Sequence, residues 1–64
     1  MTCEVCDVIT NKSLGLISFD IELLPALEAF ASLSASIYLV EQADSKDAVH
    51  LPSLDAFMLW LRDA

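Results

Sequence analysis

The chain has 64 residues, which allow one small domain and exclude a large, deeply walled substrate cleft. Three Lys and Arg residues oppose ten Asp and Glu residues, so the formal net charge is −7 at pH 7. A protein with this balance lacks the cations that displace counterions from nucleic acid, and anionic membrane surfaces repel it. We therefore predict no direct binding to nucleic acid or to a membrane, and a basic protein or nucleoprotein complex as the partner.

Hydrophobic residues make up 56% of the chain, which is too many for an intrinsically disordered protein. The longest uncharged stretch, residues 29–40, is shorter than the about 20 apolar residues of a membrane-spanning helix. Glu4 and Asp7 lie where a secretory signal would be basic, so we expect a cytoplasmic protein. A domain of this size cannot bury so many apolar residues, which predicts a homodimer or an apolar patch that a partner covers.

The first part of the chain predicts a β-hairpin. Residues 3–10 are rich in β-branched side chains, and residues 11–15 have the composition of a turn. Residues 16–21 then alternate between apolar and polar side chains, as expected of a half-buried strand. The side chains of this strand that we predict to face the core are Ile17, Phe19 and Ile21.

Two helix starts are predicted from a pair of similar segments, 24–30 and 51–57. Leu, Pro, Leu, Ala and Phe recur at matching positions, and Asp55 occupies the position that corresponds to Glu28. Proline and an acidic residue are both favourable early in a helix. The similarity divides the chain into residues 1–34 and 35–64, and it reflects either a duplication or shared helix-start chemistry. The predicted core-facing positions are Leu27, Phe30, Ala31 and Ser34, then Leu54, Phe57, Met58 and Leu61.

Between the helices the sequence predicts a second pair of strands. Residues 36–42 have high β propensity, residues 43–47 are polar and turn-like, and residues 48–51 suit a short returning strand. The prediction for residues 1–64 is one small α+β domain of order ββαββα. Its four-stranded antiparallel sheet carries both helices on one face. The other face is then open to solvent, to a second copy or to a partner.

Cys3 and Cys6 form a Cys-x-x-Cys pair, and His50 is the single histidine. These three ligands fall short of the four that a structural zinc site needs, unless a second subunit supplies one. Residues three apart in a strand point to opposite faces, which favours two reduced thiols over a shared zinc or a redox pair. A single glycine, Gly15, excludes a Gly-rich phosphate loop. We predict no catalytic residue, no metal, no cofactor and no enzymatic activity.

Acidic residues are the main candidates for binding a partner. Their field steers cationic partners, and spaced carboxylates can stand in for phosphates in a basic groove. The alternative is that the acids only keep a small apolar protein soluble. The candidate partner-binding acids lie at the entry to the first helix and at the second pair of strands, and they are Asp20, Glu22, Glu28, Glu41, Asp44 and Asp47.

Trp60 completes the set of candidate partner-binding residues. It lies off the predicted core-facing stripe of the second helix, and exposed aromatic side chains often carry binding energy. The alternative is that its ring covers the edge of the core.

In its length, its charge of −7, its lack of catalytic groups and its α+β pattern, the chain resembles small acidic proteins that bacteriophages encode against host defence, including anti-CRISPR proteins. The resemblance implies a non-enzymatic inhibitor in the host bacterial cytoplasm. Such an inhibitor blocks the DNA or guide path of a nucleic-acid-binding complex, by DNA mimicry or by covering a surface. The alternative is an antitoxin or a small regulatory subunit that binds one protein through an apolar patch around Trp60.

Overall fold

The computed structural model describes residues 1–42 and 46–63. Four strands and two helices follow one another in the predicted order ββαββα, with a short 3-10 helix (Ile21–Leu23) added before the first helix. The elements are β1 (Thr2–Asp7), β2 (Lys12–Ser18), α1 (Leu24–Leu33), β3 (Ile37–Gln42), β4 (Val49–His50) and α2 (Leu54–Asp63). The α+β class is therefore confirmed.

The sheet is mixed, so the prediction of a purely antiparallel sheet is wrong. Its strand order is β3-β1-β2-β4, in which β1 is antiparallel to both β2 and β3, whereas β4 is parallel to β2. The predicted second hairpin does not form, because β3 and β4 lie at opposite edges. Beside β2, the chain brings Leu51 into the core, where its N–H donates to the carbonyl of Ser18 at 2.7 Å.

The turn between β1 and β2 lies earlier than the sequence predicts, at residues 8–11. The carboxylate of Asp7 accepts hydrogen bonds from the N–H of Ile9 at 2.8 Å and of Thr10 at 3.4 Å. Asn11 completes the turn with a φ of 55°, a conformation that asparagine tolerates. The register then shifts at a β-bulge, where Leu14 is the extra residue of β2.

One hydrophobic core joins the sheet to both helices. In β1, Cys3 and Val5 alternate with outward residues, as the period of a strand requires. Leu27 of α1 and Phe57 of α2 are both buried in the same cluster, so both helices pack on one face of the sheet. The fully buried residues of this cluster are Cys3, Val5, Ile17, Phe19, Leu27, Leu51 and Phe57.

Two residues predicted to face the core, Ile21 and Met58, are exposed instead. Ile21 is 69% exposed, because β2 ends at Ser18 and the chain turns into the 3-10 helix before Ile21. Met58 is 48% exposed, because the side of α2 that packs against the core carries Phe57 and Trp60 and not Met58. Ser34 lies just beyond the end of α1, where its N–H donates to the carbonyl of Phe30 at 2.9 Å.

The two similar segments begin their helices differently. Pro25 lies within the first turn of α1, whose N-cap residue makes no side-chain capping bond. Pro52 precedes α2, and Ser53 supplies a cap: its Oγ accepts a hydrogen bond from the N–H of Ala56 at 3.2 Å. The two halves are therefore similar in sequence, but their helices begin differently and only the first half contains a hairpin among the described residues.

Candidate binding site

An open groove of about 570 Å³ runs between α1 and the edge strand β3. We call it the α1–β3 groove. The groove is lined by apolar side chains from both walls and by one carboxylate from each, among them Leu24, Ala31, Ile37, Leu39, Glu28 and Glu41. Glu28 belongs to α1 and Glu41 to β3, so the two elements each place one acid at the same groove. None of the lysines or arginines lines it.

The backbone of β3 faces this groove along one edge. In the described residues β3 pairs with β1 only. The N–H of Val8 donates to the carbonyl of Ser36 at 2.9 Å, so these two opposite residues form a hydrogen-bonded pair between β1 and β3. In an antiparallel ladder, hydrogen-bonded pairs alternate with pairs that are not hydrogen-bonded. Residues at even positions of β3 therefore bond to β1, and the N–H and C=O groups of Leu39 and Glu41 point away from the sheet.

The charges of Glu28 and Glu41 both affect the pKa of Cys3, which also lines the groove. Burial raises the pKa of the Cys3 thiol, and the negative charge of Glu41 raises it further. The N-terminal ammonium group opposes this shift in pKa, and Glu28 adds to it. Glu41 is the register partner of Cys3 across β1 and β3, which explains its larger effect than that of Glu28.

The remaining predicted acids lie elsewhere. Asp20 and Glu22 are exposed at the 3-10 helix and do not line the groove. Asp47 is exposed and also lies outside the groove lining. Asp44 lies outside the described residues. The structure therefore brings together Glu28 and Glu41, and it does not bring Asp20, Glu22 or Asp47 to the same groove.

Trp60 is half-buried and packs against the core. Its ring lies roughly parallel to that of Phe57, with centroids 6.1 Å apart. The exposed apolar side chains of α2 are instead Met58 and Leu59, which line a smaller hollow of about 240 Å³. Asp55 and Arg62 lie at the same hollow, so its surface combines apolar atoms with both signs of charge.

The opposite face of the sheet carries polar groups that bond to one another. Gln42 donates from Nε2 to Oε2 of Glu4 at 2.7 Å, and the Tyr38 hydroxyl donates to Oδ1 of Asn11 at 3.3 Å. A hydrogen bond with Cys6, then desolvation and nearby negative charge, raise the pKa of Tyr38. The side chains of Glu4, Tyr38 and Gln42 are thus engaged in hydrogen bonds within the chain.

The residues considered for zinc are not gathered at one place. Cys3 and Cys6 are buried free thiols, and His50 is exposed in β4. Within residues 1–42 and 46–63 no group of three or more His, Cys, Asp or Glu side chains is arranged to hold a metal ion. None of the helices described is long and apolar enough to cross a membrane.

No protein-family model, curated protein or solved structure matches this chain. The α1–β3 groove and the charge of the chain are therefore the features that bear on its function.

Sequence reasoning selected Glu28 and Glu41 but did not expect the groove. The alternation in β3 could have placed Leu39 and Glu41 on the helix-facing side, since Tyr38 and Val40 occupy the intervening positions. It could not show that β3 lies at the edge next to β1, because a strand's neighbours are decided by packing across the whole chain.

Proposed function

We propose that this protein acts by binding a basic protein partner and not by catalysis. The observation that supports this most directly is the α1–β3 groove, where Glu28 and Glu41 flank apolar side chains beside the edge of β3 that no described strand covers. The net charge of −7 adds a long-range field that draws cationic surfaces toward the chain. Apolar contact and charge attraction are thus available at the same place.

A basic nucleic-acid-binding complex is the class of partner that we propose, and inhibition is the proposed consequence. A protein bound over the basic surface that holds DNA or a guide strand would exclude the nucleic acid, as anti-CRISPR proteins do. Covering a surface is favoured over DNA mimicry, because Glu28 and Glu41 alternate with apolar side chains at the groove and Asp20 and Glu22 lie apart from it.

The experiment is a pull-down with the C-terminally tagged full chain from a defence-proficient bacterial lysate, with proteins identified by mass spectrometry. We expect a basic nucleic-acid-binding protein that is retained at low salt and released as salt rises. The double variant Glu28→Gln/Glu41→Gln should retain less of it. The control Glu22→Gln/Asp63→Asn makes the same change in net charge away from the groove and should retain nearly as much.

A second candidate function is that of an antitoxin or small regulatory subunit that binds through apolar contacts. The exposure of Met58 and Leu59 on α2 favours this candidate, whereas Trp60 is half-buried and packs against the core. A single partner that resists high salt and is lost with Leu59→Ser, but kept by Glu28→Gln/Glu41→Gln, would support this candidate and contradict the first.

A further inference from the structure

We infer that the α1–β3 groove binds an extended basic segment of the partner, which joins the sheet as an additional strand beside β3. This inference rests on the proposed function and specifies how the partner is held. Strand addition needs an accessible edge, main-chain groups that point outward, and side-chain pockets at alternate positions. The groove supplies each of these.

The edge of β3 is the one suited to strand addition. Its six residues contain no proline and no lysine, the devices that commonly protect an exposed edge. The N–H and C=O groups of Leu39 and Glu41 can bond to an added strand, because the hydrogen-bonded pair Val8 and Ser36 places the odd-numbered residues of β3 outward. The opposite edge, β4, has only two residues, Val49 and His50, and offers little to pair with.

The side chains of the groove define what the added segment should carry. Alternate residues of an added strand would point toward α1, where they would meet Leu24 and Ala31 as apolar surface and Glu28 as a carboxylate. Glu41 approaches from the strand side. A volume of about 570 Å³ is within the range of about 300–1,000 Å³ that ligand sites have. Because residues two apart in a strand share a face, lysine or arginine side chains two positions from apolar ones fit this surface.

Charge favours a basic partner over a second copy of the chain. Pairing two β3 edges would bring together two molecules of net charge −7, each with Glu28 and Glu41 at the junction. A basic segment instead places cations beside these two exposed carboxylates, and contact with the added strand removes part of their water, which strengthens the attraction between opposite charges.

The test is an NMR titration of the full chain, labelled with ¹⁵N, with the capped heptapeptide Val-Thr-Lys-Thr-Val-Thr-Lys, whose Val and Lys side chains share one face of a strand (the Val/Lys peptide). Two control peptides are Val-Thr-Glu-Thr-Val-Thr-Glu (the Val/Glu peptide) and a Val/Lys analogue N-methylated along the edge that would face β3. We expect shifts centred on the amides of Leu39 and Glu41. N-methylation should weaken binding about tenfold, because it removes donors to β3. The Val/Glu peptide should bind more weakly still.

The groove carboxylates are tested with Glu28→Gln/Glu41→Gln, matched to Glu22→Gln/Asp63→Asn. We expect an about threefold to tenfold loss of peptide affinity at low salt for the first pair only. Equal binding of the N-methylated peptide, or shifts confined to surfaces other than β3 and α1, would overturn the inference. So would sedimentation showing a dimer whose β3 amides the peptide cannot reach, since a second copy would then occupy the edge.

Failure of the inference and failure of the proposed function give different results. If the lysate yields a salt-sensitive basic partner that leaves the amides of Leu39 and Glu41 unshifted, the groove inference is wrong and the proposed function stands. If the peptide binds at β3 but no basic partner is retained from the lysate, the proposed function is contradicted and the groove inference stands.

Discussion

Gly15 lies beneath the indole ring of Trp60: a Cβ atom on Gly15 would stand 2.9 Å from Cζ2 of that ring. The backbone of Gly15 also has a φ of +146°, which side-chain-bearing residues rarely adopt. Gly15 therefore combines a backbone conformation and a close approach that alanine cannot match. The position lies next to the bulge at Leu14 of β2.

Gly15→Ala should lower the free energy of unfolding by about 1–3 kcal/mol, through backbone strain and displacement of the indole. Urea denaturation followed by far-UV circular dichroism measures this change. In a Trp60→Leu background the same substitution should cost less, because the steric part is relieved while the φ strain persists. An equal cost in both backgrounds would show that Trp60 plays no part.

Phe57 and Leu59 are two apolar residues of α2 with opposite environments. Phe57 is 1% exposed and its ring meets Phe30 edge-on, with centroids 5.4 Å apart. Phe57→Ala should therefore destabilise the fold by about 3–5 kcal/mol. Leu59 is 55% exposed, so Leu59→Ala should change stability by no more than about 0.5 kcal/mol. A large loss with Leu59→Ala that shrinks on dilution would indicate a dimer through α2.

The cap at the start of α2 gives a third prediction. Ser53 Oγ accepts the N–H of Ala56, so Ser53→Ala should cost about 1 kcal/mol of stability. Ser32, exposed near the end of α1, is the matched control, and Ser32→Ala should be nearly neutral. Thermal unfolding of both variants checks the difference. Equal unfolding temperatures would mean that this hydrogen bond contributes nothing measurable.

The buried thiol of Cys3 predicts a loss of stability in alkaline solution. Its pKa is raised above the ordinary value of 9.0, first by burial and then by Glu41, so the folded state keeps the proton longer than the unfolded state. This contribution is fully present below about pH 9 and is lost as the pH rises through the higher pKa of the folded state. Urea denaturation between pH 7 and pH 11 measures it.

Cys3→Ala is the control for the alkaline experiment, since it removes the titrating group. The fall in stability above pH 9 should be shallower in this variant. Tyr38, whose pKa is also raised, contributes in the same direction above its ordinary value of 10.0, and Tyr38→Phe isolates that part. A wild-type curve that superimposes on that of Cys3→Ala would contradict the assignment to Cys3.

Local pattern was enough to place most of the elements but not their neighbours. The alternation of Ile17 and Phe19 and the proline at position 25 mark a strand and a helix that the structure contains. Val49–His50 is different, because a two-residue strand carries no period, and its pairing with β2 follows from burial of Leu51 and Phe57. The prediction for Ile21 was wrong because the alternation of apolar and polar residues continues in the sequence beyond Ser18, where the strand ends and the backbone turns.

The same distinction applies to the candidate site. Glu28 and Glu41 are recognisable from the sequence as charged and exposed residues of their elements, but their common groove depends on β3 lying beside β1. Trp60 shows the reverse case. Its place within α2 suggested exposure, yet the absence of a side chain at Gly15 makes room for the ring against the sheet.

The position of β4 also implies an order in which the molecule assembles. The β1–β2 pair closes over a short turn, whereas β4 must return to β2 across about half of the chain, which carries a larger loop-closure entropy. We expect the β1–β2 pair to form early and the segment from β4 through α2 to dock late. During that interval Leu51 and Phe57 are missing from the core, so the newly made chain is most prone to aggregation before α2 docks.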